Sequence, residues 1–241
     1  EYLNGKRNGK GKEYYNNGSI KFEGEYLNGT VNGKGKDYNY NGTLIYEGEY
    51  LNRKLNGKGI EYNNNCTIKV EGDFINGEKH GIIKEYEHNT GKLLFEGEYK
   101  KEKREGKGKE YYTNGKIKFE GNFENGIKIG KGKEYSGGKL LFEGEYINGK
   151  RNGKGKEYYY DGNVDFVGEY LNGKRNGKGK EYYYNGELEF EGEYINNNRA
   201  SGKNYDKNGN IILELEKIEG LIREYNYYDN QLLFEGEYLN G

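Results

Sequence analysis

Glycine recurs in this chain with a period that leaves little choice of architecture. In the motif Glu-Gly-Glu-Tyr and its variants, glycine stands at 24, 48, 72, 97, 121, 144, 168, 192 and 236, so successive steps are 24, 24, 25, 24, 23, 24, 24 and 44 residues. A second series runs through Gly9, Gly33, Gly57, Gly81, Gly106, Gly130, Gly153, Gly177, Gly202 and Gly220 and fills the long step with one shortened copy. Fixed periods of this size mark arrays in which each unit buries its apolar face only against its neighbours. The expectation is one array over residues 1–241, of about ten units, with a degenerate shortened unit near 202–220 that passes through Ile211-Ile212-Leu213.

Each unit reads as two short strands and two turns. In the first copy, Gly9 to Tyr15 is one strand and Ile20 to Tyr26 the return, with Asn17-Gly18 between them. Asn-Gly between strand-like runs predicts a two-residue type I′ turn, because both central residues then need positive φ. Counting outward from it places Lys12 opposite Glu23, Lys10 opposite Glu25 and Gly11 opposite Gly24. One face therefore carries opposed charges, and the other carries Ile20, Phe22, Gly24 and Tyr26. Tyr14, which recurs in every copy, falls on the charged face by this count, and Glu13 falls beside Phe22. A β-bulge between Gly11 and Tyr14 is expected to turn the tyrosine inward and relieve both. The resulting fold class is all-β: an elongated, twisted, single-layer antiparallel meander of tandem β-hairpins.

Composition tests that reading. With 33% charged residues and a mean hydropathy of −1.24, a random arrangement would be disordered, yet 28 Tyr and 9 Phe supply strand propensity and buried area. The 42 glycines come without proline, which excludes collagen and proline-rich linkers. A net charge of −1 gives no long-range field for nucleic acid or an anionic surface. Cys66 is the single cysteine, so a disulfide framework is excluded and a reducing compartment is compatible. No apolar run has the length of a membrane helix and no signal peptide is visible. Both ends lie at the same point of the repeat and Met is absent, so the natural termini are expected to lie beyond this segment. The sequons at Asn17, Asn28, Asn41 and Asn65 matter only if the protein is secreted.

Catalytic and metal constellations are not expected. Gly9-Lys10-Gly11-Lys12 lacks the spacing and the following helix of a phosphate loop. His80 and His88 have no ligand partners at zinc-like spacing, and Cys66 occupies a turn position that is glycine in other copies. A catalytic site should interrupt the repeat, and none does. The expectation is therefore no enzyme, no metal, no cofactor and no nucleic-acid partner.

Units such as Phe142-Glu143-Gly144-Glu145-Tyr146-Ile147-Asn148-Gly149-Lys150-Arg151-Asn152-Gly153-Lys154-Gly155 closely resemble the MORN (membrane occupation and recognition nexus) repeat along essentially the whole chain. Tyr in place of Trp, Asn in place of His and a unit nearer 24 residues resemble the variant class, also seen in bacterial antitoxin-like proteins. The resemblance implies a non-catalytic scaffold that docks protein partners, or a second copy of itself, through an aromatic groove or a sheet edge. The candidate aromatic face is Phe22, Tyr26, Tyr46, Tyr50, Phe119, Phe142, Tyr146, Phe190 and Tyr194, with the alternative that these rings simply cover the glycines. Phospholipid binding is a further implication, and its candidate residues are the basic turns Lys6, Arg7, Lys150, Arg151, Lys174 and Arg175, although the strand lysines face glutamates. A cytoplasmic, membrane- or cytoskeleton-associated location goes with these roles.

Overall fold

The computed structural model describes residues 1–218, 221–226 and 231–236, so Gly220 and the closing residues 237–241 fall outside the description. Among the described residues the regular structure is entirely β. Two compact units divide the chain: Glu1–Ile117 with Phe123–Gly126, and Lys118–Asn122 with Ile127–Gly241.

The first unit opens with a small hairpin of β1 (Tyr2–Leu3) and β2 (Lys6–Arg7). There follow β3 (Gly9–Tyr14), β4 (Ile20–Leu27), β5 (Thr30–Tyr38), β6 (Leu44–Leu51), β7 (Lys54–Tyr62), β8 (Ile68–Ile75), β9 (Glu78–Tyr86), β10 (Leu93–Lys100) and β11 (Lys103–Tyr111). From β3 onward each strand pairs antiparallel with the next. Strand β12 (Ile117–Glu124) is divided between the units.

The second unit continues with β13 (Ile127–Ser136), β14 (Lys139–Ile147), β15 (Lys150–Tyr158), β16 (Val164–Leu171), β17 (Lys174–Tyr182), β18 (Leu188–Ile195) and β19 (Asn198–Tyr205). The shortened copy supplies β20 (Ile211–Ile218), followed by β21 (Leu221–Tyr225) and β22 (Leu232–Gly236). The same consecutive antiparallel pairing runs through all of them.

The expected cross-strand partners are present: Lys12 opposite Glu23, Lys10 opposite Glu25 and Gly11 opposite Gly24. The turn that produces them differs from the sequence expectation. Gly18 N–H donates to Tyr15 O and Tyr15 N–H to Ser19 O, both at 2.9 Å, with Gly18 at φ 82°. This is a three-residue loop, a type I turn closed by a left-handed glycine. It is favoured because Asn17 Oδ1 can also accept the Ser19 N–H at 3.0 Å. The loop's extra residue is offset by a bulge at Lys21, where the register shifts between Glu13 and Tyr14, and the count to Lys12 and Glu23 is restored. Type I′ geometry belongs instead to the other turn: Asn172 and Gly173, at φ 52° and 90°, join the paired residues Leu171 and Lys174.

The bulge does not carry the tyrosine inward. Tyr38, the counterpart of Tyr14 one copy on, donates its hydroxyl to Glu23 at 2.7 Å on the charged face. A phenol that meets a carboxylate there has no reason to leave it, so simple alternation holds.

Candidate functional site

The apolar face carries a layer of rings, continuous in the second unit and interspersed with buried Val31, Leu55, Val70 and Ile83 in the first. In the second unit edge-to-face contacts run from Phe119 to Tyr146, Phe142, Tyr170, Phe166, Tyr194 and Phe190, with centroids 5.0 to 5.8 Å apart. In the first unit Phe22 stands between Tyr26 and Tyr50 in the same way. Phe22, Phe95, Phe119, Phe142, Phe166 and Phe190 each lie on two bare backbones. A Cβ on Gly144 or on Gly155 would stand 2.5 Å from the Phe142 ring.

The rings named as a docking face are consequently interior. Phe22, Tyr26, Tyr50, Phe119, Phe142, Tyr146, Phe190 and Tyr194 are each at most 5% exposed, and only Tyr46 is half-buried, its hydroxyl on Glu61. This corrects the expectation of an open aromatic groove: glycine lets the rings settle onto the sheet, and the next copy's tyrosine covers them.

A ladder of alternating charge lies over the rings, on the face that sequence alternation assigned to apolar groups. In the second unit Arg151 joins Glu134 at 2.7 Å and Glu157 at 2.6 Å, and Arg175 joins Glu157, Glu181 and Asp165. Arg199 then joins Glu181 and Glu189, each at 2.6 Å. The guanidinium carbons of Arg151 and Arg175 sit 4.0 Å and 4.2 Å from the centroids of Phe142 and Phe166. The glutamates beside Phe142, Phe166 and Phe190 are thus compensated by arginines that also cap the rings. Burial raises the Glu134 and Glu181 carboxyls, but hydrogen bonds from the arginines, and from Tyr146 at Glu134, hold both below the usual range. Glu13 is lowered to about 2, chiefly by its hydrogen bond from Arg53. The recurrence of Arg six residues before Glu, at Arg7 and Glu13, Arg104 and Glu110, Arg151 and Glu157, and Arg175 and Glu181, was the sequence signal for this ladder.

These contacts redefine the basic turns. Arg151 and Arg175 are largely covered and committed to carboxylates, and Arg7 pairs with Glu13 at 2.6 Å. Lys6, Lys150 and Lys174 remain exposed. An exposed aliphatic residue stands next to each of them: Leu3 pairs with Lys6, Ile147 with Lys150 and Leu171 with Lys174 across their turns.

The opposite face is the solvent-accessible one. Lys12 meets Glu23 at 2.9 Å, Lys36 meets Glu47 at 3.1 Å and Lys84 meets Glu71 at 3.3 Å, with the lysines about half exposed. Tyr38 and Tyr62 donate to Glu23 and Glu47, and burial followed by these carboxylates pushes both phenols up to about 12. In the first unit this face encloses a groove of about 1100 Å³ crossing β3 to β9. Its floor is the backbone of the glycine stripe from Gly11 to Gly72, and its walls are two rows of Lys and Glu. Ile60 and Ile82 interrupt the rows at positions that are lysine in most copies.

Among the described residues no group of three or more His, Cys, Asp or Glu stands together as metal ligands. Cys66 is exposed at φ 65°, in the left-handed loop position that Gly18 fills in the first copy. Among the described residues no helix is long and apolar enough to cross a membrane.

Tandem β-hairpins stacked through a glycine and aromatic layer define a repeat protein of the hairpin-array class. The MORN repeat family matches residues 1–20, 46–67, 71–82, 119–139, 142–164 and 166–187, and the MORN repeat variant matches 104–125. The chain belongs to the MORN-repeat family. No curated protein matches it.

Proposed function

We propose that this array is a non-catalytic scaffold that docks protein partners on the charged face of its sheet. The observation that supports the reading is the groove of the first unit, where half-exposed Lys side chains, paired with more covered Glu, stand above a backbone floor. Such walls favour a charged polypeptide surface over an apolar ligand. The ring face serves cohesion, and the scaffold is read as cytoplasmic. The test is affinity capture with the full chain, identification of the enriched proteins, and titration calorimetry of each purified partner against Lys12→Glu/Lys36→Glu/Lys58→Glu. Loss of binding by the triple variant supports docking here; unchanged binding, or no saturable partner, counts against it.

A membrane-surface role is a second reading, favoured by the exposed pairs Ile147 with Lys150 and Leu171 with Lys174, which set apolar and cationic groups side by side. Co-sedimentation with phosphatidylserine vesicles at low salt tests it. Recovery of the chain in the supernatant removes this role.

A further inference from the structure

The groove's dimensions and charge order specify the conformation of what fits it, given the docking reading above. Seven strands at ~4.8 Å spacing make it about 29 Å long. An extended chain spans that length with about nine residues, its outer side chains in solvent.

The walls repeat every two strands, about 9.6 Å, with lysines on β3, β5, β7 and β9 and carboxylates on β4, β6 and β8. A polyproline II chain advances about 9.3 Å per three-residue turn, close to this period. It also needs no backbone hydrogen bonds, and a floor whose amides are already paired within the sheet offers none. Ile60 and Ile82 break the ionic rows at one end of the groove.

We infer that the groove over β3 to β9 takes an extended, polyproline II-like segment of about nine residues. Each three-residue turn of that segment carries one acidic and one basic side chain, and an apolar side chain meets Ile60 and Ile82.

The probe is a fluorescently labelled peptide of three Glu-Lys-Leu copies, titrated against the full chain by anisotropy. Two comparison peptides are a block permutation of the same composition and a side-chain-stapled helical form. The variant Ile60→Lys/Ile82→Lys restores the lysine of other copies and so preserves the fold. The expected result is saturable binding of the period-three peptide, about tenfold weaker for the permuted peptide and for the double variant. Equal affinity for all three peptides, preference for the stapled helix, indifference to the double variant, or no binding at about 1 mM overturns the inference. If partner binding is still lost in the lysine triple variant while the peptide fails, only this inference falls. If that variant keeps its partners as well, the docking reading falls with it.

Discussion

The ring of Phe142 rests on Gly155 of the adjoining strand so closely that a Cβ there would lie 2.5 Å from it. The same glycine also faces Tyr170 of the next copy, at 3.0 Å from that Cβ. One missing side chain therefore accommodates two rings and joins two copies.

Gly155→Ala is expected to destabilise the second unit by ~1–3 kcal/mol, because the inserted methyl must displace both rings or the strand. The urea midpoint of the unit's transition, followed by tyrosine fluorescence, is the measurement. A midpoint equal to wild type removes close packing as the reason for the glycine stripe. Arrays need not unfold in one step, so the unit's own transition is the one compared.

Arg175→Met keeps the apolar stem over Phe166 but takes the arginine from Asp165 and one of two arginines each from Glu157 and Glu181, which keep Arg151 and Arg199. The cost at pH 7 is expected to be about 2 kcal/mol, reduced from that of a fully buried pair by partial solvation. It should shrink on acidification, since protonation removes the stranded charges. Urea melts at pH 7 and pH 4 decide; an equal loss at both would show that the arginine acts by packing.

Glu13 supplies an acid-side dependence. Its carboxyl titrates at about 2 in the fold against an ordinary 4.5, so its contribution is complete above 4.5 and lost as pH falls towards 2. In Arg53→Met the Glu13 carboxyl should titrate well above 2 in carbon-13 NMR, and that part of the acid slope should flatten. A midpoint unmoved from about 2 would assign the depression to Arg7 instead.

At the type I′ turn, nothing lies within 4 Å of a Cβ placed on Gly173, so only its φ of +90° resists a side chain. Gly173→Ala should cost ~1–2 kcal/mol, the left-handed penalty. Gly173→Asn should cost less, because Asn197 holds the corresponding position at φ 78°. Thermal midpoints in the order wild type, Asn, Ala check this, and the reverse order would refute it.

Much of the fold was legible in the sequence because a period-two pattern repeated in copy after copy overdetermines the register. Lys12 and Glu23 meet as counted even though the loop beside them has another geometry, since the bulge at Lys21 compensates for the loop. The type I′ turn expected at Asn17-Gly18 is replaced there for a local reason: Asn-Gly is competent for either geometry, and the choice depends on whether Asn17 can cap Ser19. The candidate site was less legible. Alternation identified the face of Phe22 and Tyr26, but burial depends on how far a ring sinks onto its neighbour's glycines, and this is a property of two copies together. Likewise Glu13 looked misplaced until Arg7 and Arg53 were seen beside it.

In the second unit, Arg151 and Arg175 each bridge the glutamate of their own copy and that of the copy before. Excising 24 residues, from Lys150 to Gly173, would bring Glu134 to Arg175, two groups that already take part in such bridges. The seam would close with the same chemistry, so genetic gain or loss of whole copies leaves no unmatched joint, whereas a partial copy strands a carboxylate.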